Sequence, residues 1–479
     1  MGYDDATKAI KNNHEGMTVS GIISYGAYVP YYRLTRKAIG GGKGERAIAS
    51  HDEDSVSMSV EAGRGALAAS PAIDTLVFAT NSAPYAEKLN AAAICSALDL
   101  PAQVNTIELA NNTRMGLAAL LLGTDLGKAG RTSLVCAGDI VMGAPGGARE
   151  RDSGDAAVAF VTGPEEDAIA RVLGRASTTS EILDVWRLPT DRFARQWEER
   201  FGIEVLGPIS LDTAQRALAD ADVAPDALAA VILDATNSRD VVGIPRALGL
   251  KPEQVADMLA GSVGRSGVAH AGLVLARTLD QAQPGDKILV LSTADGCDAV
   301  VLEVSDKIAE GRPARSVDHW LASSNNEIAY NTYLKWREIL PFEAPRRPDP
   351  DRPAAPIMKR NERWKYAFCG SRCGKCGQGH LPPQRVCMKC RSIDEMVEER
   401  FADADCKITT YTLDHLAYSL QPPVVSTVVD FDCGGRLACE LTDVDPADVA
   451  IGDKLEMTFR RFYTGQGVHN YFWKARPQR

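Results

Sequence analysis

From residue 19 to about residue 304, short apolar runs rich in β-branched residues alternate with runs rich in alanine and leucine. The first kind predicts strands over 21–25, 75–79, 133–137, 156–161, 229–233, 287–292 and 299–304. The second kind predicts helices such as 55–69, 91–98, 211–221 and 269–281. Strands alternating with helices indicate an α/β architecture around a mainly parallel, buried sheet. The pattern runs twice, before about Gly163 and again from about Ala168. Each pass closes on a strand behind a glycine turn, Ser153-Gly-Asp-Ala-Ala-Val-Ala-Phe in one and Asp295-Gly-Cys-Asp-Ala-Val-Val-Leu in the other. That repeat predicts two similar halves.

One stretch of the first half carries candidate chemistry. A strand over 104–109 leads through Ala110-Asn-Asn-Thr-Arg114 into a helical run from about Leu117. Such an elbow presents a side chain at a helix N-terminus, where developing negative charge is stabilised. The elbow residue is Thr113. A hydroxyl needs a positioned base before it can attack, and the neighbouring Asn111 and Asn112 cannot be one. Thr113 is read as a hydrogen-bonding pocket residue, with covalent nucleophile as the alternative.

After residue 304 the pattern changes. A helical stretch with aromatic residues is predicted over 320–340, followed by a proline-rich tether over 341–356. Short strands then follow over 406–413, 424–431, 437–441, 454–462 and 470–475, the pattern of a small all-β barrel of the OB type. The expected units are a flexible terminus over 1–16, an α/β domain over 17–310, a helical segment and linker over 311–360, a cysteine knuckle region over 361–395 and the barrel over 396–479.

Composition narrows the function classes. The chain has 479 residues, 45% hydrophobic and 24% charged, enough for two or three domains with cores of their own. Its net charge of −10 argues against a general nucleic-acid binder. No apolar run reaches bilayer length and the first residues are polar, so a cytoplasmic protein is expected. Five of the eleven cysteines lie between Cys369 and Cys390. Cys373-Gly-Lys-Cys376 and Cys387-Met-Lys-Cys390 are two Cys-x-x-Cys knuckles, the spacing that brings four thiolates onto one Zn²⁺. Four thiolates leave no open coordination position, so a structural zinc is expected at Cys373, Cys376, Cys387 and Cys390, with Cys369 a bystander.

Several motifs also carry a resemblance. Gly21-Ile-Ile-Ser-Tyr-Gly-Ala-Tyr-Val-Pro-Tyr-Tyr-Arg33, Ser82-Ala-Pro-Tyr-Ala-Glu-Lys88, Ala137-Gly-Asp-Ile-Val-Met-Gly-Ala-Pro-Gly146, Ser153–Phe160 and Gln283-Pro-Gly-Asp-Lys-Ile-Leu-Val290 resemble hydroxymethylglutaryl-CoA synthases of the thiolase superfamily. Gly370-Ser-Arg-Cys-Gly-Lys-Cys-Gly and His380-Leu-Pro-Pro-Gln-Arg-Val-Cys387 resemble the zinc-ribbon/OB proteins that partner thiolase-like enzymes. The resemblance implies a duplicated thiolase-like fold in αβαβα layers, followed by a zinc ribbon and an OB barrel. It also implies a homodimer and a coenzyme A thioester as substrate, with no nucleic acid or membrane as partner.

The resemblance places the family's catalytic cysteine at Thr113, its glutamate at Asn81 and its histidine at Asp234, while its Gly-Asn oxyanion motif becomes Gly264-Arg265. With all three catalytic groups replaced, the expected activity is a C–C bond made or broken beside a CoA thioester, of aldol or Claisen type, without an acyl-cysteine. Such a step needs a proton acceptor and a sink for the enolate. Asp234, His270 and Tyr85 are the candidates for acid/base work, with Thr113 and Asn81 beside them. Arg33, Arg239 and Arg265 are candidates for CoA or thioester contacts, and Asn112 and Arg114 for a polar acyl pocket. A non-catalytic scaffold that binds a CoA ester or a partner enzyme is the alternative, and a hydroxymethylglutaryl-CoA synthase in the strict sense the third reading.

Overall fold

The most apolar runs meet in the middle of one mixed sheet. The computed structural model describes residues 19–68, 71–343, 348 and 350–479. The expected flexible terminus over 1–16 lies outside these residues, as do the end of the predicted helix 55–69 and part of the proline-rich stretch. The sheet strands are β1 (Ser20–Tyr28), β2 (Thr75–Ala79), β3 (Asn105–Leu109), β4 (Ser133–Asp139), β5 (Ala156–Pro164), β6 (Ala170–Thr179), β7 (Ala230–Ala235), β8 (Lys287–Thr293) and β9 (Gly296–Val304). Their order is β7-β8-β9-β6-β1-β5-β4-β2-β3.

Read outward from the centre, β1-β5-β4-β2 and β6-β9-β8-β7 repeat one another. In each, the first two pairings are antiparallel and the third parallel. The duplication expected from the sequence is therefore present in the topology. A mainly parallel sheet is not. Only β2–β3, β2–β4 and β7–β8 run parallel, because each half closes on an antiparallel strand pair. In the second half the chain turns straight back at Asp295 and Gly296, with φ of 49° and 113°.

Four helices complete the layers: α1 (Ser55–Leu67), α2 (Met115–Lys128), α3 (Glu199–Asp220) and α4 (His270–Gln281). The two half-sheets share only the pairs Gly21–Arg171 and Ile22–Ala170, so they fold across one another. Helices α2 and α4 pack together between them, while α1 covers the outside of the first half and α3 the outside of the second. That is the five-layer αβαβα arrangement. Helix α1 is held at its start by a capping box, in which Asp54 accepts from the Ser57 amide at 2.9 Å and Ser57 Oγ accepts from the Asp54 amide at 2.9 Å.

Local pattern misjudged three elements. Strand β6 carries two arginines and Gly174 and was not foreseen. Helix α3 begins a dozen residues earlier than the predicted 211–221, because its first turns contain Gly202, Gly207 and Pro208, which disfavour a helix locally. The predicted helix over 320–340 is two short helices, Val317–Ala322 and Tyr330–Trp336, broken by Ser323-Ser-Asn-Asn, whose side chains compete for backbone hydrogen bonds.

Beyond the linker, β10 (Cys369–Cys373), β11 (Gly379–His380) and β12 (Met396–Arg400) form a small ribbon. Strands β13 (Cys406–Asp414), β14 (Val424–Phe431), β15 (Arg436–Leu441), β16 (Lys454–Gly465) and β17 (Val468–Pro477) close a barrel in the order β13-β14-β15-β17-β16. The barrel docks on α1 and the turn before it through a buried ion network. Arg460 reaches Asp52 at 3.3 Å and Glu53 at 2.8 Å, and Arg476 reaches Glu61 at 2.6 Å. Lys474 reaches Asp52 at 3.0 Å, and the Tyr471 hydroxyl donates to Asp54 at 2.6 Å. No helix among the described residues is long and apolar enough to cross a membrane.

Candidate active site

The elbow between β3 and α2 meets the ends of both half-sheets. Gly116, in the first turn of α2, lies against the backbone that precedes α4; a Cβ there would come within 1.8 Å of the Val268 carbonyl oxygen. Only glycine lets the two helix starts approach so closely. Thr113 Oγ1 lies 3.0 Å from Thr236 Oγ1, just past β7. No imidazole, amine or carboxylate contacts the Thr113 hydroxyl among the described residues, so it has no base to activate it. Asn112 donates through Nδ2 to Asp295 at 2.9 Å, and its Oδ1 is buried without a partner.

Asp234 lies near the C-terminal end of β7, in register with Ser292 of β8, whose hydroxyl donates to it at 2.8 Å. Burial outweighs that bond and the attraction of Arg265, and pushes the Asp234 carboxyl up to about 6. His270 begins α4 and is buried. Burial and then the positive charge of Arg265 push its imidazole down to about 4, so it is neutral at pH 7. The Ser266 amide donates to Nδ1 at 3.4 Å, which assigns the ring proton to Nε2. A carboxyl that ionises near neutrality and a neutral imidazole thus share one cation, Arg265.

Asp139, at the end of β4, ties this region together. Its Oδ1 accepts from the Asn81 amide at 2.7 Å, Ser82 Oγ at 2.9 Å and Thr80 Oγ1 at 3.1 Å, and its Oδ2 accepts from the Val268 amide at 3.1 Å. Gly267 takes a φ of 57° directly beside it, where a Cβ would come within 2.2 Å of Oδ2. Asn81 therefore contributes its backbone to a structural hub, while its side-chain Oδ1 is buried without a partner.

Three expected site residues are placed elsewhere. Arg33 is buried and donates to the carbonyls of Pro30, Tyr32 and Trp320, with Glu45 at 3.8 Å, so it cannot reach a CoA phosphate. Arg114 is committed to the Thr178 carbonyl at 2.8 Å and Asp298 at 3.4 Å, and braces the elbow rather than lining a pocket. Tyr85 faces the barrel: its hydroxyl accepts from the His469 amide at 2.7 Å and its ring lies 4.7 Å from that of His469. Arg239 remains on the surface, paired with Glu199.

The sequence reading also missed residues. Asp240 and Asp184 are buried on either side of Gly202, and both Asp240 oxygens lack partners. Burial, then Asp184 and Glu199, push the Asp240 carboxyl up to about 7. Arg149 stands near Asp139 and Arg265, on a short helix over Ala148–Asp152. The signal for Asp240 was its place six residues after Asp234, in the turn that follows β7; for Arg149 there was none.

In the ribbon, the Sγ atoms of Cys373, Cys376, Cys387 and Cys390 all lie within 4.8 Å of one another. Pairs at 3.6 Å and 3.5 Å match the edge of a tetrahedron whose centre lies about 2.3 Å from each sulfur. The four residues fit a metal ion. Cys369 lies apart from them, beneath Arg363 at 3.3 Å.

Residues 401–460 match the family model described as "ChsH2, C-terminal OB-fold domain". The hydroxymethylglutaryl-CoA synthase of Aeropyrum pernix is 30% identical over 341 residues, covering 66% of this chain and 94% of that protein. That of Methanopyrus kandleri is 27% identical over 346 residues, covering 67% and 98%. Among solved structures, an HMG-CoA synthase complexed with CoA superposes with a TM-score of 0.55 at 18% identity, covering 66% of this chain and 90% of that one. The 3-oxoacyl-(acyl carrier protein) synthase III of Pseudomonas aeruginosa gives a TM-score of 0.55 at 18% identity, covering 60% and 98%. These two structures bear on the fold alone, and agree with the duplicated thiolase-like layers. The chain belongs to the hydroxymethylglutaryl-CoA synthase family and carries an OB-fold domain on the same polypeptide.

Proposed function

We propose that the protein acts on an acyl-CoA thioester and makes or breaks the C–C bond beside it, by aldol or Claisen chemistry, without an acyl-enzyme. The observation that carries this reading is the shared site of Asp234, neutral His270 and Arg265 next to an elbow whose Thr113 hydroxyl, among the described residues, meets only that of Thr236. Asp234, ionised above pH 6, takes the proton from a β-hydroxyl or an α-carbon. The His270 Nε2–H donates toward the thioester oxygen and Arg265 stabilises the enolate charge, the part that Gly264-Arg265 inherits from the oxyanion motif. Thr113, Thr236 and Asn112 line the acyl end, and Arg239 is the exposed cation for a CoA phosphate.

We place a structural zinc on the four cysteines, where it holds the two knuckles of the ribbon together; metal analysis should find about one zinc per chain. Among the described residues the outer strand β3 is unpaired on one side, and it is only half-buried, which supports pairing with a second copy. The test of the activity is a panel of β-hydroxyacyl- and β-ketoacyl-CoA esters assayed for cleavage, alongside labelled acetyl-CoA. Cleavage with no label retained on the protein supports the reading. Stoichiometric acyl transfer onto the chain, or no turnover of any ester, contradicts it.

A further inference from the structure

Most buried carboxylates in this protein are met by donors. Asp52, Glu53 and Glu61 are held by Arg460, Lys474 and Arg476, Asp155 by Arg46 and Arg337, and Asp139 by four hydrogen bonds. Asp184 and Asp240 differ. They are 5% and 3% exposed, and among the described residues both oxygens of Asp240 and Oδ1 of Asp184 are buried without a hydrogen-bond partner. The two carboxyls meet at one place. A Cβ on Gly202, in the first turn of α3, would come within 3.0 Å of Asp240 Oδ1 and 3.4 Å of Asp184 Oδ1.

The charges around the pair do not relieve it. Asp295 acts on Asp184, while Asp184 and Glu199 act on Asp240 more strongly than Arg265 does. Glu199 is itself paired with Arg239 and accepts from Asn237 Nδ2 at 3.0 Å. Burial, then Asp184 and Glu199, push the Asp240 carboxyl up to about 7, and burial and Asp295 push Asp184 upward as well. Two buried carboxylates this close are costly when both are ionised, and a proton on one of them removes the repulsion.

The pair also joins two parts of the fold. Asp184 stands at the root of a hairpin: its carbonyl accepts from the Trp197 amide at 2.8 Å, just outside the paired strands Val185–Trp186 and Arg195–Gln196. Asp240 lies on the body, in the 3₁₀ turn Ser238–Val241 after β7. The hairpin extends over the rim of the candidate site, where Arg187 Nη2 lies 3.4 Å from the Asn81 carbonyl, and Arg192 reaches the Arg337 carbonyl. Its strands are two residues long, and Leu188 and Trp197 are more than half exposed, so little burial holds it in place.

We propose that Asp184 and Asp240 form a proton-operated latch. With Asp240 protonated, the hairpin lies closed over the site rim; loss of that proton to solvent drives the two carboxylates apart and releases it. A carboxyl raised from 3.8 to about 7 in the closed form favours closure fully below 3.8, and that preference is lost as pH rises through 7. Opening gives up one proton across this window, so the open fraction grows about tenfold per pH unit and levels off above 7. The latch stands whether or not the substrate is an acyl-CoA.

The experiment is hydrogen exchange of the full-length protein between about pH 5 and about pH 8. It is read by mass spectrometry and expressed as protection factors, which remove the pH dependence of exchange itself. The expected result in peptides over 185–197 is protection that falls about tenfold per pH unit up to about 7 and then levels off, while β5 keeps its protection. Asp240→Asn has no proton to lose and should hold one level of protection throughout. Asp184→Asn removes the repelling neighbour and should make the fall shallower; it carries the comparison if Asp240→Asn does not fold. Constant protection in the wild-type protein overturns the latch, and so does a fall that persists unchanged in these variants. Protection restored at the alkaline end by Mg²⁺ or Ca²⁺ assigns the three oxygens to a cation and also overturns it.

Discussion

The barrel interface and the candidate active site treat their charged groups in opposite ways. At the interface each cation is closed off by acids of the same chain. Arg460 sits among Asp52, Glu53 and Asp443, and Arg476 between Glu61 and Glu456. At the site, Arg149 and Arg265 are half-exposed with no carboxylate within 4.0 Å among the described residues, and Asp234 and His270 are pushed toward their neutral forms. A charge that the fold satisfies holds the fold together, and removing one partner strands the others. A charge that the fold leaves open contributes little to stability and is available to a ligand. The same residue type thus does different work in the two places, and substitution should separate them.

The largest effect on stability is expected at the interface. Arg460→Met leaves Asp52, Glu53 and Asp443 without their common cation and should cost about 3–5 kcal/mol. Thermal unfolding, together with faster proteolytic release of the barrel, checks it. Asp234→Asn should lower turnover by about 10²–10⁴-fold once a substrate is in hand. Its effect on stability has a sign that a structural carboxylate would not show. A carboxyl raised from 3.8 to about 6 in the fold contributes stability below its ordinary range and loses it as pH rises through 6. The asparagine variant should therefore unfold at the same temperature as wild type, or higher, at pH 8.

Acid should act on the other region. Burial alone would raise the Glu61 carboxyl, but Arg476, Arg64 and Arg460 together outweigh it and hold it down at about 2. Its contribution is full above about pH 4.5 and is lost as pH falls from there toward 2, so the barrel contact should weaken in that window while the site titrates near 6. Tryptophan fluorescence against pH would report it, through Trp320 beneath the barrel contact. The smallest effect belongs to the open pair: Arg149→Met or Arg265→Met should change stability by no more than about 1 kcal/mol in the absence of ligand. A loss as large as that of Arg460→Met would erase the distinction between the regions.

What could be read from the chain alone follows how local each feature is. The four clustered cysteines were legible because two Cys-x-x-Cys turns specify most of their geometry. The strands of the first half were legible because they are continuous apolar runs, whereas β6 interrupts its run with Arg171, Gly174 and Arg175. Asp234 could be picked out because a carboxylate at the end of an apolar strand points to the rim of the sheet. Arg33 looked like a surface cation, but it is buried against Trp320, far away in sequence. The interface network joins residues about 400 positions apart, and no spacing rule connects Asp52 to Arg460. Arg149 was hidden for a different reason: what marks it is the lack of a partner, a property of the folded surroundings and not of the residue.

The central claim is that the Asp234 site generates an enolate beside a CoA thioester without an acyl-enzyme. The most direct measurement is deuterium uptake at the α-carbon of acetyl-, propionyl- and succinyl-CoA incubated with the protein in D₂O, read by mass spectrometry of the recovered ester. The account predicts uptake by at least one of these esters, rising with pH through about 6, abolished in Asp234→Asn and retained in Thr113→Ala. No uptake by an ester that binds, or uptake that survives Asp234→Asn and disappears in Thr113→Ala, would contradict it.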